Sequence, residues 1–207
     1  MRHGTAFVAM GLLVAMVGHA CADDLNPPEW RTDPAGQNAT TLQVWEFGTD
    51  ANPAAPDLVA NEYGAPLATI QGTFPATRWK SEDQGHFGVW KFEESMVLEI
   101  PNSPTPNEYK ELWIQVTYYS DEGLDPSILT IPDATEVEVI ANVPLDDWYR
   151  HGTYRVRIEP NPDSEAVYIT PALCTLYVDE VVVDTICIPE PAAVALLAVG
   201  LLVLRRR

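Results

Sequence analysis

The sequence predicts an all-β protein: a single β-sandwich, of jelly-roll type, flanked by an N-terminal signal peptide and a short C-terminal hydrophobic helix. Three observations carry the sandwich. Short runs of β-forming residues recur along the chain, apolar and polar residues alternate within them, and turn-forming clusters separate them. The runs are 42–47, 67–74, 87–92, 96–100, 112–119, 128–131, 137–141, 154–158, 167–169, 173–178 and 181–186. In Tyr154-Arg155-Val156-Arg157-Ile158 the two arginines share one face, and Leu112-Trp113-Ile114-Gln115-Val116-Thr117-Tyr118 alternates in the same way. Between the runs lie Asp50-Ala51-Asn52-Pro53, Pro101-Asn102-Ser103-Pro104, Asp121-Glu122-Gly123 and Glu159-Pro160-Asn161-Pro162-Asp163. No helical period of useful length and no internal repeat interrupts this pattern.

The domain organisation follows from the two ends. Arg2 supplies a positive start, residues 6–17 are apolar with intervening glycines, and Ala20-Cys21-Ala22 offers a small-residue cleavage site, so residues 1–22 read as a secretory signal peptide. A lipoprotein signal ending at Cys21 is the weaker alternative, because Gly18 and His19 stand where a lipobox wants other residues. At the other end Pro189-Glu190-Pro191 precedes an uncharged run, 192–204, and then Arg205-Arg206-Arg207. As a helix that run is about 20 Å long at 1.5 Å per residue, short against a hydrocarbon core of about 30 Å. Arginines at its end can snorkel to cytoplasmic headgroups.

This tail resembles the PEP-CTERM sorting signal of exosortase substrates. The resemblance implies that a membrane-embedded, exosortase-type enzyme processes the chain near Pro189, Glu190 and Pro191. Arg205, Arg206 and Arg207 then act as the stop-transfer cluster, and the protein is held in the membrane only transiently. It further implies delivery to the cell envelope, cell surface or extracellular matrix. The physical parallel is a hydrophobic tail exchanged for another attachment.

The part between the ends, residues 23–188, is one domain's worth of chain and carries 29 acidic residues against 8 basic ones. That balance excludes nucleic acid and anionic lipid as partners of the domain, and it leaves room for divalent cations. Cys174 and Cys187 survive removal of the leader, and an even pair in an exported chain predicts a disulfide. Such a bridge requires the chain to reverse between them, with Asp179-Glu180 as the turn. The alternative is one long bulged strand with two unpaired thiols.

Leu176-Tyr177-Val178-Asp179-Glu180-Val181-Val182-Val183 looks like the closing strand of many carbohydrate-binding jelly rolls. The domain also resembles a group of PEP-CTERM proteins from planctomycete-like bacteria, through Asn26-Pro27-Pro28-Glu29-Trp30-Arg31, Trp45-Glu46-Phe47, Tyr109-Lys110-Glu111-Leu112-Trp113 and Arg157-Ile158-Glu159-Pro160-Asn161-Pro162. That group implies a surface context rather than a mechanism.

Catalytic motifs are missing from the sequence. There is no nucleophile elbow, zinc-protease helix motif or phosphate-binding glycine loop. His86, beside Gly85 and Gly88, reads as a loop residue, and His151, before Gly152, as a turn residue. Glu93-Glu94 cannot easily share one substrate as a glycosidase pair, because adjacent strand residues point to opposite faces. No catalytic residue is therefore expected. Structural calcium is the cofactor the acidic loops allow, with Asp121, Glu122 and Asp125 as ligands. For sugar binding the candidates are Trp79, Trp90, Trp113 and the pair Trp148-Tyr149, whose rings would stack on pyranose faces. Trp148 and Tyr149, in an Asp-rich turn, are the preferred platform, and Asn38-Ala39-Thr40 matches a glycosylation sequon. The expected function is that of a non-enzymatic envelope or exopolysaccharide-associated protein, with a carbohydrate-binding module and then a glycoside hydrolase as alternatives.

Overall fold

The computed structural model describes residues 24–31, 40–105 and 107–189. The leader, Asn38, Glu190, Pro191, the apolar run and the arginine cluster lie outside the described residues; Pro189 is exposed, directly after the last strand.

Among the described residues, twelve strands are divided between two antiparallel sheets. The larger sheet contains β1 (Thr40–Trp45), β2 (Leu58–Ala60), β4 (Arg78–Asp83), β5 (His86–Phe92), β7 (Tyr109–Ser120), β9 (Glu136–Pro144), β10 (Arg150–Ile158) and β12 (Leu176–Ile188). Its main order is β2-β1-β12-β7-β10-β9, and the β4–β5 hairpin joins at the start of β12. The smaller sheet is β3 (Leu67–Ile70), β6 (Met96–Pro101), β11 (Ser164–Thr170) and β8 (Ser127–Ile131), in the order β3-β6-β11-β8. The fold is a β-sandwich in which the chain repeatedly crosses from one sheet to the other, as the spacing of its turn clusters predicts.

The alternation places each strand. Leu112, Ile114, Val116 and Tyr118 of β7, with Tyr154, Val156 and Ile158 of β10, face the interior. They meet Leu98 and Ile100 of β6 and Val167 and Ile169 of β11 from the opposite sheet. Burying such side chains contributes about 1.5–3 kcal/mol each, which makes this contact the main source of stability. The opposite face of β7 is covered near its middle by the segment 24–31. There the Trp113 indole donates to the Asn26 carbonyl (2.6 Å), Asn26 N–H donates to Gln115 (2.8 Å), and Trp30 packs edge-on against Trp113 at 5.9 Å. Arg31 Nε reaches Asp184 Oδ1 at 2.6 Å.

The strand β12 corrects two expectations. Its two halves, read as separate runs, form one strand with a bulge between Val178 and Glu180. Before the bulge it pairs with β5, after it with β1, and along both halves with β7. Asp179 is thus the point at which the neighbouring strand changes, not a hairpin turn. Cys174 and Cys187 consequently lie beyond or near opposite ends of an extended segment, and both are free thiols. An extended run at about 3.3 Å per residue holds them far beyond the reach of a disulfide.

Two strands escaped the pattern. β2 is a three-residue edge strand, exposed at every position, and β4 is mostly polar. β5 comes close to the chain leaving β1: a Cβ at Gly88, whose φ is +82°, would meet the Phe47 carbonyl oxygen at 2.5 Å. Only glycine fits there.

Candidate functional site

The bulge in β12, the β4–β5 hairpin and the turn from β9 to β10 meet at one end of the larger sheet. His86, the first residue of β5, stands at their junction rather than in a loop. Its Nδ1 lies 2.7 Å from Asp179 Oδ2 and its Nε2 lies 2.8 Å from Asp146 Oδ2. The bulge explains the first contact, since the extra residue in β12 turns its side chain out of the ladder. The second is prepared by the turn itself. Asp146 Oδ1 accepts the backbone N–H groups of Trp148 and Tyr149, each at 2.7 Å, which leaves Oδ2 free for the imidazole.

Charge follows from this geometry. Burial, the largest single influence on His86, disfavours its cation, but hydrogen bonds and charges from Asp146 and Asp179 outweigh it and raise the pKa above the ordinary value. For Asp146, burial is again the largest influence and pushes its pKa up. Hydrogen bonds from His86 and the two backbone amides overcome it, so the net shift is downward. The two carboxylates hold opposite edges of the imidazole, so the three groups cannot converge on one metal ion.

Around this clamp the aromatics are arranged as a ledge. Tyr149 is fully buried and stacks on His86 with ring centroids 3.8 Å apart, while its hydroxyl donates to Asp83 at 3.3 Å. Burial and the surrounding carboxylates push the Tyr149 phenol far up. The expected Trp148-Tyr149 platform is therefore divided: Tyr149 belongs to the interior, and Trp148, 49% exposed, faces solvent. Trp148 meets Tyr119 edge-on at 5.7 Å, and Tyr119 lies 5.2 Å from Tyr177, its cross-strand partner. Lys80 Nζ is 5.3 Å and Lys91 Nζ 6.0 Å from the centre of the Tyr177 ring. Trp148, Tyr119 and Tyr177 thus form a continuous, partly exposed row at the end of β7 and β12.

The other candidates are placed elsewhere. Trp90 is buried, Trp79 packs on the core and donates to the Phe47 carbonyl (2.9 Å), and Trp113 lies under the segment 24–31. His151 is buried in β10, not in a turn, within hydrogen-bonding distance of Thr117 (3.0 Å) and Gln115 (3.1 Å). Asp121 and Glu122 share a shallow pocket with Glu93 and Thr175, where Asp121 Oδ1 accepts the Thr175 N–H at 2.9 Å. Asp125 is committed elsewhere, to the Tyr118 hydroxyl at 2.6 Å. Among the described residues no three His, Cys, Asp or Glu side chains gather as a metal-binding group.

The Asp146–His86–Asp179 clamp carries no motif in the sequence. Its members are far apart in the chain, and the one local signal was an acidic pair interrupting an otherwise apolar closing strand. No family model, curated protein or solved structure matches this chain.

Proposed function

We propose that this is an exported cell-envelope or matrix protein whose β-sandwich holds polysaccharide on the Trp148–Tyr119–Tyr177 row, and whose tail is processed by an exosortase-type enzyme. The observation that supports the binding reading is the row itself. Apolar ring faces at the open end of a rigid sheet offer stacking surface to pyranose rings, and the exposed Asp147 next to Trp148 offers hydroxyl acceptors. The clamp is scaffolding: His86 fixes the turn that presents Trp148. A chain with net charge −18 repels anionic polymers at long range, so the ligand class is a neutral polysaccharide. The Pro189-Glu190-Pro191 motif, the apolar run and the arginine cluster support the delivery reading.

The two halves are tested separately. In affinity electrophoresis through gels containing neutral polysaccharides, the wild-type protein should be retarded by at least one. Trp148→Ala should lose most of that retardation, by roughly tenfold in affinity, at an unchanged melting temperature, since one exposed ring contributes about 1–1.5 kcal/mol. Equal mobility of the two proteins in every gel would remove the binding reading. Sorting is tested by the intact mass of the protein from hosts with and without the exosortase. A mature chain that still carries residues 196–207 in the competent host would overturn it.

A further inference from the structure

At the other end of the sandwich, Lys110 of β7 and Glu165 of β11 face each other between the two sheets. Both side chains are completely buried, and Lys110 Nζ lies 2.5 Å from Glu165 Oε1. Apart from this contact, neither Nζ nor either carboxylate oxygen has a hydrogen-bond partner among the described residues. Register explains how they met. Lys110 is in phase with core residues Leu112 and Ile114, and Glu165 with Val167 and Ile169, so the fold drives both inward. Their corner is closed by Cys187, directly opposite Lys110 across the β7–β12 ladder, and by Asn102. Asn102 is fully engaged: its Nδ2 donates to Asn161 (3.0 Å) and to the Pro162 carbonyl, and its Oδ1 accepts from Ser103 N–H (2.7 Å) and the Cys187 thiol (3.2 Å).

A buried ion pair with no further hydrogen bonds is an unfavourable arrangement, because both ions lose their hydration and nothing but the partner offsets it. Burial pushes the Glu165 carboxyl up, against the opposing influence of Lys110. We propose that this pair is the site of a self-formed intramolecular amide, joining Lys110 Nζ to Glu165 Cδ and tying the two sheets together covalently.

The step balances without any co-reactant. The Nζ–Cδ bond forms and one Cδ–Oε bond breaks. The ammonium gives up two protons, and both leave with the departing carboxyl oxygen as water. In water the reverse reaction is favoured largely because its products ionise and are solvated. A dry site withdraws that advantage, since the free amine and acid stay buried and poorly solvated. Proximity supplies the rate: well-oriented intramolecular reactions reach effective molarities of roughly 10⁵ M or more, and the two sheets hold these groups in contact.

The test is the intact mass of the purified full chain, followed by tryptic mapping. After the observed terminal processing is accounted for, the protein should be lighter than its sequence by one water. Trypsin should fail to cleave after Lys110, and that peptide should appear joined to the one containing Glu165. The double variant Lys110→Met, Glu165→Leu, chosen to keep the core filled, should show the full sequence mass. Wild-type protein at full mass with normal cleavage after Lys110 would overturn the proposal. So would a loss of one ammonia mapped to Lys110 and Asn102, which would make the asparagine the acyl partner. Neither reading depends on the fate of the aromatic row.

Discussion

Replacing His86 with glutamine removes the cation of the clamp while leaving comparable volume. In the folded protein the imidazolium makes two charge-assisted contacts, and such hydrogen bonds contribute about 1.5–3 kcal/mol when shielded. Asp146 is 40% exposed at its side chain, so its contact is screened and is worth about 1 kcal/mol. His86 and Asp179 are 15% and 14% exposed, so the second contact keeps about 1.5 kcal/mol. The variant should therefore lose about 2–3 kcal/mol under acidic conditions, a fall in melting temperature of roughly 5–10 °C for a domain this size. The sign of the pH dependence is fixed by the direction of the shift. The pKa of His86 is raised on folding, so its contribution is complete below the unfolded value of about 6.5 and is lost as pH rises through the higher folded value. That of Asp146 is lowered, so its contribution is complete above about 4 and is lost as pH falls through the lower folded value. The gap between wild type and His86→Gln should be widest between about pH 4 and 6.5, narrowing above. Urea unfolding of both proteins at pH 5.5 and 8.5 measures it. An equal gap at the two pH values would refute the claim that a charged imidazole holds the turn.

Two further outcomes are expected. Arg31→Met should cost about 2–3 kcal/mol at neutral pH, because Asp184, 3% exposed at its side chain, would keep its burial and lose the guanidinium that opposes the rise in its pKa. Asp184→Asn in the same background should recover part of that loss, which a double-mutant cycle in urea would read. A calcium chelator should leave the melting temperature unchanged, since Asp125 is engaged by Tyr118 and does not join Asp121 and Glu122. A fall of several degrees on chelation would assign calcium to the acidic loops of Asp121, Glu122 and Asp125.

The strands were legible wherever one face is buried and the other is wet. Tyr154 to Ile158 and Leu112 to Tyr118 announce their own register, and the structure places Tyr154, Val156, Ile158, Leu112, Ile114, Val116 and Tyr118 in the core. The short edge strand β2 carried no such signature, because an exposed edge has no buried face to select one. The same alternation runs on to two charged residues. Lys110 and Glu165 sit at core positions of their strands, yet each lies in a charged or turn-like neighbourhood that reads as solvated. The free cysteines went wrong for a related reason: Asp179 looks like a chain reversal, whereas a bulge admits an acid without turning the strand. Which aspartates would meet His86 was never local information, because the contacts span 60 and 93 residues of sequence.

The placement of β12 has a mechanical meaning. Pro189 and the residues beyond it follow this strand directly, and it lies between β1 and β7 along the half that ends there. Tension applied through that exit runs parallel to the strand, so it loads the ladders on both sides in shear. The hydrogen bonds then share the load and must yield together, whereas a strand peeled from an edge gives them up one at a time. A load entering at this exit would therefore have to shear both ladders at once.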